Sequence, residues 1–224
     1  MGQMQFVKWS RLLGKCALAL TILLLPIMVQ AGKEFVMPQA RPAASYPAHD
    51  QHSKESITVA LDPYDMADKA SIFSVNYREL GFMPIFVVIA NDSDQAVQLA
   101  GMKAELVTAD RSKLSPAGED DIERRLSRPE TNDRHYPVPI PIPTKKVKGA
   151  VSKQAREEIQ RAIFVAKAVE PHGTQVGFLF FDVSEISAPL AGAHFYLTGV
   201  RDARGSELMF FEIPLENYLS APTK

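Results

Sequence analysis

Residues 82–90 are apolar on both alternating faces. Phe82, Phe86, Val88 and Ala90 point one way, and Met83, Ile85, Val87 and Ile89 point the other. Side chains alternate along a strand, so a strand of this kind is covered on both sides and lies in a core. The turn formers Asn91, Asp92, Ser93 and Asp94 close it. A second stretch of the same character runs over 174–183. Val176, Phe178 and Phe180 lie on one face, and Gly177, Leu179, Phe181 and Val183 on the other. It is expected as a core neighbour of the first.

One-sided alternation predicts further strands. Ile57, Val59 and Leu61 form one, and Phe73, Val75 and Tyr77 mark a candidate over 73–80. Residues 96–108 change phase at Gly101, from Val97 and Leu99 to Met102, Ala104 and Leu106. A glycine bulge within one strand accounts for that. A hairpin with 82–91 then follows through the turn at 91–95. Over 193–200, Phe195 and Leu197 face inward and His194, Tyr196 and Thr198 outward. After the turn at 201–205, Met209, Phe211, Ile213 and Leu215 share a face.

Two segments read differently. Residues 115–128 begin with Ser115 and Pro116, carry Glu119, Asp120 and Asp121 early, and end with Arg124, Arg125 and Arg128. Acid first and base last suits a helix dipole. Ile122 and Leu126 can rest on the sheets, with the charges as a solvated face. Val151, Ala155, Ile159, Ala162 and Ile163 make a second helical stripe that ends before Glu170 and Pro171. Whether 164–169 continues it or starts a strand stays open. Between the two helices, 129–149 alternates prolines at Pro137, Pro139, Pro141 and Pro143, then carries Lys145, Lys146 and Lys148. Such a run favours extended polyproline II over helix or central strand.

The expected fold is therefore mainly β: an immunoglobulin-like antiparallel β-sandwich of about seven strands with a helical and proline-rich insert. The domain spans 57–217, with the insert at 115–165 and a tail at 218–224. Residues 32–56 hold Pro38, Pro42 and Pro47 without apolar periodicity and read as a flexible leader. There is one cysteine, and the only tryptophan is Trp9, so a close antibody-type relative is excluded.

The start of the chain has the order of a secretory signal peptide. Lys8, Arg11 and Lys15 lead, residues 16–29 are almost wholly apolar, and Val29 and Ala31 supply the peptidase sites. The fourteen residues 16–29 rise about 21 Å as a helix, short of the roughly 30 Å hydrocarbon core. Cleavage after Ala31 is expected, and an uncleaved anchor is the alternative. Cys16 precedes the apolar run, which rules against a lipoprotein cysteine. Cleavage leaves 193 residues without cysteine, hence without disulfide or thiolate chemistry. It also removes three basic residues and no acidic one, leaving 22 basic against 26 acidic, a net charge of −4. That balance argues against a protein dedicated to nucleic acid.

Chemistry-bearing motifs are sparse. The nucleophile elbow, phosphate loop, zincin helix and dinucleotide glycine pattern are absent from the sequence. His49 and His52 lack further ligands nearby. Asp62, Asp65 and Asp68 miss the alternation and glycine of a calcium loop and read as solvated turn carboxylates. His194 has the chance of an acidic neighbour across a strand, and His135 lies in the insert. No cofactor or metal is implied, and whether the chain is an enzyme stays open, with the balance against.

Residues 84–93 followed by Val97, and 169–174 leading into Gly177-Phe178-Leu179-Phe180-Phe181, resemble the strand and turn units of uncharacterised exported bacterial immunoglobulin-like β-sandwich proteins. The resemblance covers 57–215 and implies a periplasmic or extracellular location. It carries over no site residue. The expected function is a non-enzymatic protein-binding or scaffolding module of the cell envelope. Its candidate partner surface is Tyr136, Pro137, Pro139, Pro141, Pro143, Lys145, Lys146 and Lys148. An envelope protein is the expected partner, and membrane contact comes only through an uncleaved signal. The alternatives are a carbohydrate- or small-ligand-binding module, with Tyr136 and Tyr196 as the aromatics to check, and a hydrolase of envelope polymers.

Overall fold

The computed structural model describes residues 34–127 and 151–222. The expected signal at 1–31 and the proline-rich segment at 129–149 lie outside the described residues. The described chain is mainly β and antiparallel, with two four-stranded sheets and a two-stranded one. In chain order the strands are β1 (Ala48–His52), β2 (Ile57–Pro63), β3 (Phe82–Asn91), β4 (Val97–Gln98), β5 (Lys103–Val107), β6 (Lys113–Leu114), β7 (Ala168–Val169), β8 (Gly173–Asp182), β9 (His194–Thr198) and β10 (Phe211–Pro214). The helices are α1 (Ala67–Ala70), α2 (Glu119–Leu126), α3 (Lys153–Ala162) and α4 (Glu216–Leu219).

The first sheet has the order β1-β2-β3-β8 and the second β10-β9-β5-β6. Every residue of β3 is buried. Its odd-numbered side chains, with Leu179 and Phe181 of β8, face Phe195, Leu197, Phe211 and Ile213 of the second sheet. Its even-numbered ones, with Phe178 and Phe180, face a further layer. Ile122 of α2, Ile159 and Ala162 of α3, and Tyr64, Phe73 and Tyr77 of the 64–81 connection build that layer. The two-faced reading of 82–90 and 174–183 thus matches the packing, and the two strands pair along their whole length.

Several sequence expectations differ from the structure. Residues 73–80 form turns, not a strand. Their alternation serves a loop whose Phe73 and Tyr77 rings point into the second core. The backbone of that loop is held by Glu158, a buried carboxylate on α3. Glu158 accepts Ser74 N–H at 2.6 Å, Val75 N–H at 3.4 Å and the Tyr77 hydroxyl at 3.1 Å. Residues 96–108 are two strands in different sheets: β4 pairs with β7, and β5 with β9 and β6. Gly101 sits in the turn between them, not in a bulge. Gly199, with φ +73°, crosses that turn so closely that a Cβ there would run into the Gly101 carbonyl. β3 pairs with β2 and β8, so the expected hairpin with 96–108 does not form.

The described part of the leader read at 32–56, from residue 34, carries a 3-10 turn at Ala43–Ser45 and strand β1. Phe35, Ala43 and Tyr46 are buried in the second core and Ala48 in the first. The expected tail begins inside α4. Met209, placed with Phe211 on an inner face, is 71% exposed, because strand pairing starts only at Phe211.

Both seams of the sandwich are closed. At one, the Glu212 N–H of edge strand β10 donates to Asp50 of β1 at 3.0 Å, and the His52 ring stacks on Phe211 at 4.0 Å. At the other, the chain leaving β6 crosses to β8, where Ala117 N–H donates to the Phe180 carbonyl at 2.7 Å.

Candidate functional site

Two places among the described residues bring polar side chains against aromatic rings. The first is a groove of about 630 Å³ beside α2, lined by Phe82, Ser115, Pro116, Ala117, Asp121, Arg124, Arg125 and Asp182. The helix sequence places its arginines here: Ile122 and Leu126 go inward, and Arg125 is turned toward β8. Its guanidinium lies 4.8 Å from the Phe82 ring centroid. It donates to both oxygens of Asp182 and to the Leu80 carbonyl at 3.1 Å. Burial works to raise the pKa of Asp182. The hydrogen bonds from Arg125 and Ser184 and the Arg125 charge outweigh it and hold the carboxyl below its ordinary value. Arg124 is paired with Asp121 at 2.7 Å. Both carboxylates of the groove are therefore already engaged by arginine.

The second place is the outer face of the second sheet. Strand register aligns Glu212, Tyr196 and Glu105 across β10, β9 and β5. Alternation sends Phe195 and Leu197 into the core, so His194 and Tyr196 face out, as expected from the sequence. Tyr196 donates its hydroxyl to Glu212 Oε1 at 2.7 Å, and His194 Nδ1 lies 3.0 Å from the same oxygen. The acidic neighbour foreseen for His194 is therefore Glu212. The hydrogen bond to Glu212, then partial desolvation and the Glu212 charge, raise the Tyr196 pKa. Phe210 is 49% exposed, with its ring centroid 6.2 Å from that of Tyr196. Phe210 was not singled out from the sequence, and Met209 was assigned to the inner face with Phe211. The only signal for Phe210 was a run of apolar residues, 208–211, too continuous for one-sided alternation.

The remaining candidates take structural places. His49 lies 2.6 Å from the Tyr46 carbonyl, while His52 stacks on the opposite side of the strand, so the two do not converge. Asp62 and Asp65 are not simply solvated. Lys69 binds Asp62 at 2.6 Å and the Tyr218 hydroxyl donates to Asp65 at 2.6 Å, which pins α4 against β2. Among the described residues no group of three His, Cys, Asp or Glu side chains is placed to hold a metal ion. No described helix is long and apolar enough to cross a membrane. Tyr136, Pro137, Pro139, Pro141, Pro143, Lys145, Lys146, Lys148 and His135 lie outside the described residues.

No protein-family model matches the chain, and no curated protein sequence matches it. Function has to be argued from the two places themselves.

Proposed function

We propose that the protein is an exported module of the cell envelope that binds another protein and does no chemistry on it. The observation carrying this reading is the exposure of Phe210 beside Tyr196, with the exposed Met209 next to it in the chain, at the edge of a sheet whose other face is core. Single exposed apolar side chains are ordinary, but neighbouring large ones next to an aromatic ring favour a protein contact. The core packed against the inner face of that sheet supports the same reading, since it fixes the strands that carry the outer one. The proline-rich segment at 129–149 is a second candidate contact, on its sequence alone.

A glycan-binding reading draws on the same rings, because sugars stack on aromatic faces. Here the Tyr196 ring is inclined by 19° to His194 and by 47° to Phe210, so the three do not make one flat platform. That inclination favours a protein side chain over a sugar ring.

Photocrosslinking in cells tests the proposal. A benzoylphenylalanine at position 210 is expected to give a discrete protein adduct. The same label at Val165, which is 72% exposed elsewhere, should give none. A label at Tyr136 tests the proline-rich segment. Identical patterns from 210 and 165, with nothing from 136, would sink the reading.

A further inference from the structure

Resting on that binding reading, we infer that the outer face of the second sheet receives an arginine side chain of the partner, between Tyr196 and Glu212. The face presents an aromatic ring with a carboxylate-bearing neighbour on each side, Glu212 and Glu105. Tyr196 and His194 both meet Glu212 at Oε1 and neither at Oε2. Lys113 reaches Glu105 at 3.4 Å, but with 68% of its side chain exposed the pair is a loose one.

The chain itself shows the same combination filled. At Phe82 and Asp182, an aromatic ring and a carboxylate grip Arg125, stacked on one and forked onto the other. A ring face attracts a cation, and a guanidinium can lie flat on it while presenting its edge to a carboxylate. The ammonium of Lys69 also meets a ring and a carboxylate, over Tyr64 at 5.0 Å and 2.6 Å from Asp62, but as a point charge without the paired parallel donors that a guanidinium lays across a ring. Charge therefore selects a cation, the paired planar donors favour arginine over lysine, and Phe210 beside Tyr196, with the exposed Met209 before it in the chain, offers apolar area to the residues around it. These two make the occupant a protein segment and not free arginine.

The test is a titration of the isotope-labelled full chain with the blocked dipeptide acetyl-Arg-Leu-amide, followed by NMR. Saturable shifts are expected at the amides of β9, at Glu105 and at Glu212. The citrulline analogue, which keeps the planar group without the charge, should bind several-fold more weakly. Glu212→Gln should weaken the arginine peptide by about fivefold, the scale of one exposed ion pair. An unchanged unfolding midpoint shows that this variant is folded. Equal binding of both peptides, shifts centred elsewhere, or a neutral oligosaccharide moving the same amides independently of Glu212 would overturn the inference. Shifts that depend on protein concentration alone would overturn it too, in favour of a second copy. If the position-210 crosslink persists while the arginine preference fails, only this inference falls. If that crosslink is missing, this inference falls, and the binding reading falls with it when position 136 gives no adduct either.

Discussion

The two sheets of this sandwich differ in what covers them. The first is buried on both faces. The second has one face in the core and one in solvent. In the first sheet Phe178 meets the rings of Phe35, Tyr64, Phe73, Phe86 and Phe180, with centroids 4.9–6.3 Å apart. In the second, the only ring carried by an outward strand position opposite Glu212 is Tyr196, and its neighbours are charged or exposed. The difference separates two duties. Side chains of the first sheet are committed to holding the fold, so a change there costs stability. The outer face of the second is free to vary, so a polar and aromatic arrangement there can serve a contact.

The largest effect should come from breaking the double-sided core. Phe178→Ala removes a fully buried ring from that cluster and is expected to cost about 3–5 kcal/mol. Phe210→Ala should change stability by no more than about 0.5 kcal/mol, as exposed positions do. Urea unfolding of the two variants beside the parent checks this. Comparable losses would mean that Phe210 is part of the core and the contrast between the sheets is wrong.

A polar version of the same test lies at Glu158. Its carboxylate is 2% exposed and carries the donors of Ser74, Val75 and Tyr77. Glu158→Ala leaves those donors unpaired under α3 and should cost about 2–3 kcal/mol. Tyr77→Phe removes one donor and keeps the ring, so about 1 kcal/mol is expected. Hydrogen exchange should show the loop at 71–80 loosening first in Glu158→Ala. Uniform loosening of β3 and β8 instead would place Glu158 in the core's cooperative unit.

How much of this was legible in the sequence follows from the same division. Where burial is two-sided, apolar residues are continuous, and 82–91 and 174–183 could be read to within a residue of their observed bounds. The stripe of α3 was legible because helix period and burial agree at Ala155, Ile159 and Ala162. The errors came where alternation is not caused by strand pairing. Phe73, Val75 and Tyr77 alternate because a looped backbone drops two rings into a core, and their backbone partners include a carboxylate far along the chain. Residues 96–108 look like one strand because local pattern cannot report a change of sheet. β1 was hidden because an edge strand with His49, Asp50 and His52 has little apolar signal. The outer-face arrangement was half visible. His194 and Tyr196 could be placed outward, but Glu212 and Phe210 join them only through register and the late start of β10.

Alkaline pH separates the regions by titration. Tyr64 ionises only at about 12, chiefly because burial disfavours the phenolate, with the nearby Asp62 charge adding to it. Burial also pushes Tyr77 up, with the Glu158 charge and hydrogen bond adding to it. A raised phenol pKa means that the folded state holds its proton longer than the unfolded chain. The stability contributed is full below the ordinary tyrosine value of about 10 and is lost as pH rises toward the folded value. Absorbance of phenolate against pH should therefore show Tyr64 and Tyr77 ionising late and together with unfolding. Early ionisation without loss of structure would mean that the layer over the first sheet is open to water.

The smallest effect concerns one proton on the outer face. Tyr196 is raised mainly by its hydrogen bond to Glu212, not by deep burial. Removing the acceptor charge should then lower its pKa toward the ordinary value without touching Tyr64. NMR titration of the tyrosine rings in Glu212→Gln checks both halves of that statement. A fall at Tyr196 alone shows that the carboxylate and the phenol act as one local unit, independent of the core behind them. Such independence is what a contact face needs, since a partner's cation could then take over Glu212 without disturbing the fold. A simultaneous change at Tyr64 would show the two sheets coupled through their shared core, and the division of duties between them would have to be given up.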